Sequence, residues 1–141
     1  MLRGTDPIEA LQRLLAAAEA GEVDAMCERW GVRLLGVFGS AARHFRDPEA
    51  PAPRDLDVSV SFLGTRHELE LLADLARLTD CDVIDLAVLD GAHPLLRAAG
   101  FVGIGLYERE RGGWATEQMA ALAEYRDTEH LRRLDLEALA G

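Results

Sequence analysis

Disulfide-forming cysteines, clustered histidines, long apolar runs and an excess of basic charge are all missing from this chain. Two cysteines in 141 residues, Cys27 and Cys81, are too few for a disulfide framework and too far apart for a C-x-x-C motif. The four histidines do not cluster, so nothing indicates a structural zinc site. No segment approaches the roughly 18 to 20 apolar residues of a membrane span. Charges spread through MLRGTDPIEALQRLLAAAEAGE deny the N-terminus the apolar centre of a signal peptide. Lys+Arg number 15 against 25 Asp+Glu, a formal charge of −10, which argues against a protein that grips nucleic acid by neutralising phosphates. The same balance suits a basic protein partner, or cations screening a local acidic cluster. No repeat, low-complexity tract or second domain stands out. The expectation is one cytoplasmic domain over 1–141, without membrane association and with both thiols reduced and buried.

What is present reads as alternating helices and strands. Asp6-Pro7-Ile8-Glu9 has the pattern of a helix start, with Asp as N-cap, Pro in the first turn and Glu three residues after the cap. Ile8, Leu11, Leu14, Leu15 and Ala18 then recur at helical spacing, and Val23, Met26, Cys27 and Trp30 form a second, shorter stripe. Residues 33–38 are an apolar strand stopped by Gly39-Ser40, and the three prolines of residues 44–54 mark that stretch as a loop. Residues 55–62 alternate, with Asp55, Asp57, Ser59 and Ser61 on one face and Leu56, Val58, Val60 and Phe62 on the other. Leu69, Leu72, Ala73 and Ala76 mark a helix. Residues 81–89 read as a strand containing Asp85, and 93–99 as a short helix. Residues 103–108 suggest a fourth strand and 114–139 a final helix for packing or an interface. The fold class expected is α/β (α+β): a small mixed sheet of about four strands, helices on one face, and an open face carrying the aspartates.

Three acids and a turn carry the chemistry. Asp55 and Asp57 are two apart on a strand, so both leave the same face, roughly 6 to 7 Å apart along it. Anions that close repel unless protonated, paired or bound to a cation. As an isolated pair they also fit a merely solvated strand face. Asp85 sits mid-strand in VIDLAVL, a type of strand usually buried on both faces, where an unpaired carboxylate would be costly. If the two strands pair, three carboxylates converge into a hard-oxygen set suited to Mg²⁺ or Mn²⁺. Two such ions suit phosphoryl or nucleotidyl transfer. Gly39-Ser40, at a strand end before a helix-like AARH, offers backbone N–H groups and a hydroxyl to a phosphate, with Arg43 three residues on.

The order strand, Gly-Ser, Arg, loop, Asp-x-Asp strand, helix, strand with Asp resembles the DNA polymerase β-like nucleotidyltransferase superfamily, and within it the minimal nucleotidyltransferase (MNT) family. The likeness is carried by GVFGSAAR (36–43), DLDVSV (55–60), VIDLAVL (83–89) and HPLLRAAGFVGIGLYE (93–108). It implies that Gly39, Ser40 and Arg43 hold a nucleoside triphosphate, that Asp55 and Asp57 bridge two Mg²⁺ or Mn²⁺ ions, and that Asp85 helps bind one ion and activate the acceptor. It implies AMP transfer from ATP to a hydroxyl of a partner protein, the chain serving as antitoxin to a HEPN-domain ribonuclease toxin. The alternatives are an antitoxin acting by occlusion with little catalysis, and an adenylyltransferase of small molecules such as aminoglycosides; no further domain is there to enclose the latter. Homo- or hetero-oligomerisation is left open. Two positions depart from the family pattern: His44 stands where Gly is usual after the Arg, and Arg54 where Ser is usual before the first Asp. The loop between Arg43 and Asp55 is also longer and richer in proline. His67, His93 and His130 are expected at the surface, Trp30 in the core, and Tyr107 and Tyr125 in packing roles.

Overall fold

In a computed structural model, residues 4–128 are described. Two helices, α1 (Pro7–Glu19) and α2 (Glu22–Arg29), lead into β1 (Val32–Phe38), which passes directly into α3 (Gly39–Arg46). Then follow β2 (Leu56–Phe62), α4 (Glu68–Thr79), β3 (Ile84–Val88), α5 (Pro94–Phe101), β4 (Ile104–Glu108) and α6 (Gly113–Asp127). Asp6 caps α1 as its sequence suggests, its carboxylate accepting from the Glu9 N–H at 2.8 Å. The part of the final helix expected beyond residue 128, and His130, lie outside the described residues.

The sheet is four-stranded in the order β3-β2-β1-β4. β1 is antiparallel to both β2 and β4, whereas β2 and β3 run parallel, so the α+β class and mixed sheet are as expected. Alternation divides the side chains of β2. Leu56, Val58, Val60 and Phe62 join Leu11, Leu14, Val23, Met26, Leu71 and Leu75 in the larger core, under α1 to α4. Each such fully buried aliphatic side chain contributes about 1.5–3 kcal/mol relative to exposure. Cys27 and Cys81 are buried free thiols, as expected, and burial pushes both upward in pKa.

The coverage of the second face differs from expectation. Rather than standing open, half of it lies beneath α5 and α6, where Leu34, Leu89, Phe101 and Ala121 form a smaller core against Trp114. Ser59 and Ser61 are buried there: Ser59 Oγ donates to the Gly100 carbonyl at 3.1 Å, and Ser61 Oγ to Asp90 at 2.7 Å. Hydroxyls suit this place because each finds an acceptor when desolvated. Arg33 and Arg97 both reach Glu117 of α6, at 3.2 and 3.3 Å, and tie the layer down. Among the described residues, the aspartate end of the face stays uncovered.

Local phases and ends also shift. The buried stripe of α4 is Leu71, Leu75 and Thr79, while Leu69 is 79% exposed, so the expected stripe lay on the wrong side of that helix. Helix α3 runs to Arg46, three residues into the expected loop, because the first proline stands only at 48 and restricts no residue earlier than 47. Trp30 is half-buried, its indole N–H donating to Asp74 at 2.7 Å. His67 lies against the Trp30 ring at 5.5 Å, and His93 caps α5 by accepting from the Leu95 N–H at 3.1 Å.

Candidate active site

Asp57 is the centre of the open end. In β2 it stands opposite Phe38 of antiparallel β1 and opposite Asp85 of parallel β3. Neighbouring strands lie about 4.8 Å apart, so a row runs across the sheet from Asp85 through Asp57 to the Gly39 turn. Asp55 lies in a bend just before β2 begins at Leu56 rather than within the strand. Its charge is nonetheless felt: burial first, then Asp85, then Asp55 raises the Asp57 carboxyl above its ordinary value.

Asp85 is exposed, contrary to the expectation of a strand buried on both faces. β3 is an edge strand and shorter than the 81–89 anticipated, and Val83 beside it is 40% exposed. The desolvation case for Asp85 therefore falls; its case now rests on register with Asp57. None of the carboxylates of Asp55, Asp57 and Asp85 takes a hydrogen bond or ion pair from the described residues. Asp74 and Asp90 show the contrast. Asp74 meets Arg29 and the Trp30 N–H, and Asp90 accepts from Ser61 and from the Phe62 N–H.

The turn beside Asp57 is built for close approach. Gly39 has φ +69°, and a Cβ there would collide with the Asp57 carboxylate. Only glycine supplies both the backbone conformation and the space. No side chain caps the start of α3, leaving its first N–H groups to an external acceptor. Ser40 is half-exposed on that turn. Arg43, one helical turn on, is exposed, and its guanidinium makes no hydrogen bond or ion pair with the described residues. Arg54 is likewise exposed.

His44, the departure after Arg43, has a structural use. Its Nδ1 donates to the Ala50 carbonyl at 2.8 Å, fastening the proline-rich loop to α3. Arg46 donates to the Val102 and Gly103 carbonyls at 3.2 and 2.9 Å, joining α3 to the turn before β4. Neither residue's partner could be read in the sequence, since the loop and the turn are brought to α3 only by folding.

The donor set fits a hard divalent cation in kind: Asp57 and Asp85 stand in register, Asp55 lies near enough to raise the Asp57 pKa, and an uncapped helix start lies beside them. Among the described residues, no three His, Cys, Asp or Glu side chains are already gathered as a closed ligand set. Repulsion between like charges is a sufficient reason for carboxylates without a counter-ion to stand apart. The described residues contain no helix long and apolar enough to cross a membrane.

No family model matches the chain, and no curated protein matches it significantly. Solved structures do. One is the complex of a tri-AMPylated Shewanella oneidensis HEPN toxin with an MNT antitoxin, at TM-score 0.63 and 16% identity over 90% of this chain and 99% of that one. A toxin–antitoxin structure with AMP-PNP matches at TM-score 0.63 and 17% identity, over 84% and 96% of the two chains. At those identities the likeness is one of fold. A third structure, described as a candidate minimal nucleotidyltransferase, is 32% identical over 71% of this chain and 94% of its own, at TM-score 0.50. With Asp85, Asp57 and the Gly39 turn in one row across the sheet and that 32% identity over 71% of the chain, this chain belongs to the minimal nucleotidyltransferase family.

Proposed function

We propose that the chain is a divalent-metal-dependent nucleotidyltransferase that moves AMP from ATP to a hydroxyl of a partner protein, and that the partner is a HEPN-type toxin. The observation that carries this reading is the position of Asp57, pressed against Gly39 on one side and in register with Asp85 on the other. The structural neighbours lend support, one containing an AMPylated toxin and another AMP-PNP.

In this reading the first-turn N–H groups of α3, the Ser40 hydroxyl and Arg43 hold the β- and γ-phosphates. Asp55, Asp57 and Asp85 would hold Mg²⁺ or Mn²⁺, which when bound supplies positive charge against the phosphate oxygens. The acceptor oxygen forms a bond to the α-phosphorus as the bond from that phosphorus to the β-phosphate oxygen breaks, and pyrophosphate leaves. The hydroxyl proton passes to the Asp85 carboxylate. Positioning and charge do most of this work. The protein's contribution is the fixed distance between turn and carboxylates, set by β1–β2 pairing.

Incubation with labelled ATP, Mg²⁺ and a HEPN partner should label the partner, and Asp57→Ala should not. Equal labelling by both proteins would end the catalytic reading. A second reading, antitoxin action by occlusion alone, draws on the acids' not being gathered into a closed ligand set. It requires Asp55→Ala/Asp57→Ala to neutralise the partner as well as wild type does.

A further inference from the structure

Strand β3 is paired on one side alone, with parallel β2, and forms an edge of the sheet. The backbone groups of a strand face its two sides alternately. The Val83 carbonyl accepts from the Leu56 N–H and the Leu89 N–H donates to the Val60 carbonyl, both at 2.9 Å. That phase turns Asp85 and Ala87 toward β2 as well, and points the N–H and C=O groups of Ile84, Leu86 and Val88 outward. Among the described residues the outward groups have no hydrogen-bond partner. Such an edge is a template for a further strand.

Side chains alternate along the same strand. Ile84, Leu86 and Val88 pack toward the larger core, whereas Asp85 is exposed on the opposite face, level with Asp57 and the Gly39 turn. A residue placed opposite Asp85 on an added strand extends that row by about 4.8 Å. Acceptor and leaving group stand on opposite sides of the attacked phosphorus. With the leaving phosphates at the Gly39 end of the row, the acceptor hydroxyl enters from the Asp85 end.

The residues on either side of that hydroxyl residue point to the other face. There a groove of about 370 Å³ runs between α4 and the start of β3, walled by Leu69, Leu72, Ala73, Ala76 and Ile84. Leu69 is 79% exposed and Val83 40%, an apolar surface that the fold itself leaves in water. Charge narrows the choice of occupant. Asp80, Asp82 and Asp85 are exposed along this edge, and no Lys or Arg occurs from residue 78 to residue 96. Arg77, just before, is paired with Asp74. A second copy of this chain would set the same acids face to face, so the edge suits a basic partner instead.

Resting on the nucleotidyltransferase reading above, we propose that the acceptor segment of the partner adds to the free edge of β3 as a further strand. Its hydroxyl residue lies opposite Asp85, and an apolar residue next to that one fills the groove beside Leu69. The substrate class is thus an extended segment with an apolar neighbour to the hydroxyl and basic residues flanking the two. Main-chain hydrogen bonds supply affinity whatever the sequence, and the groove supplies selection.

Hydrogen exchange at single-residue resolution tests this on the full chain with Mg²⁺, a non-hydrolysable ATP analogue and the HEPN partner. In the chain alone the N–H groups of Ile84, Leu86 and Val88 should exchange fast, while those of Asp85 and Ala87 are held by β2. The partner should slow the first three by about tenfold or more. Leu69→Arg should lower the rate of labelling of the partner by labelled ATP about 10- to 100-fold at subsaturating partner. The same variant should bind the analogue as wild type does. Ala73→Arg, also exposed on the groove wall, should act in the same direction and stands in should the first variant not fold. Labelling while the three N–H groups stay fast, or folded variants that label as wild type does, overturns this proposal alone. Protection of those groups in the chain by itself, growing with its concentration, assigns the edge to a second copy and overturns it too. No labelling of the partner by wild type overturns the nucleotidyltransferase reading, and this inference with it.

Discussion

Asp57 and Asp85 occupy paired positions on parallel β2 and β3, and neither carboxylate has a cationic partner among the described residues. Like charges directly across a strand pair are destabilising by about 0.2–1 kcal/mol. The arrangement is thus a local cost to the fold, of the sort that persists at sites where a ligand supplies the missing charge.

Its pH dependence follows from linkage. Burial and the two neighbouring acids raise the folded-state pKa of Asp57 above its ordinary value. Between those two values the native protein holds a proton that the unfolded chain has released, so stability falls as pH rises through that window and stays lower above it. Asp57→Asn in metal-free buffer should therefore melt roughly 1–4 °C higher than wild type near pH 7, and the gain should vanish once pH drops below the ordinary carboxylate range. Mg²⁺ with a nucleotide should raise the melting temperature of wild type and leave that of Asp57→Asn unmoved. Thermal melts at two pH values, with and without Mg²⁺, read both effects; a variant less stable than wild type at pH 7 would show that the repulsion is not there.

Gly39→Ala tests the contact between turn and carboxylate. An L-residue at φ +69° costs about 1–2 kcal/mol, and its methyl group must displace Asp57. A shift of that kind at the reacting centre should lower transfer activity by about 100-fold while the circular dichroism spectrum stays native. Gly64→Ala is the control: nothing lies within 4 Å of the added carbon, and activity should be unchanged. Equal activity in the two variants would separate the Gly39 turn from the chemistry.

The parts of this site readable in the sequence are those fixed by short spacing. Alternation placed Leu56, Val58, Val60 and Phe62 inward, and Gly39-Ser40 at a strand end needed only its immediate neighbours. Asp85 was identified for a reason that failed, since VIDLAVL reads as doubly buried but forms an exposed edge; strand order is a property of the whole sheet and leaves no local trace. Ser59 and Ser61 misled in the same way. Their alternation is that of a wet face, yet α5 and α6, which come much later in the chain, cover them. In α4, Leu69 and Leu72 offered as good a stripe as Leu71 and Leu75, and only packing against α1 and the sheet decides between them. His44 and Arg46 found carbonyl partners that no spacing rule connects to them.

Trp30 and Asp74 make a stability prediction away from the site. The Trp30 N–H is the largest influence holding Asp74 below its ordinary carboxyl pKa, with Arg77 and Arg29 adding to it. A depressed pKa contributes stability that is fully present above the unfolded value and is lost as pH falls through the folded one. Trp30→Phe should cost about 1–3 kcal/mol near pH 7 through the charged hydrogen bond. The cost should shrink toward the lost packing alone at a pH below the lowered folded-state value, where the carboxyl is protonated in both states. Urea melts at the two pH values measure the difference, and a cost independent of pH would assign the whole effect to packing.

Arg43 and Arg46 lie three residues apart on α3 and should separate binding from folding. The Arg43 guanidinium makes no hydrogen bond or ion pair with the described residues, so Arg43→Ala should leave the melting temperature unchanged. It should weaken nucleotide binding by about 10- to 100-fold, the value of one charge-assisted contact to phosphate. Arg46 is bound to two carbonyls of the turn before β4. Arg46→Ala should therefore lower stability by about 1–2 kcal/mol and loosen the wall that α3 shares with α5. Tripolyphosphate distinguishes the two roles. Its affinity should fall in Arg43→Ala and hold in Arg46→Ala, because the Gly39 turn, where the proposed function seats the phosphates, is held by β1 and packed on Asp57 rather than fixed by the far end of the helix. The reverse pattern would move the phosphate site from the start of α3 to its end.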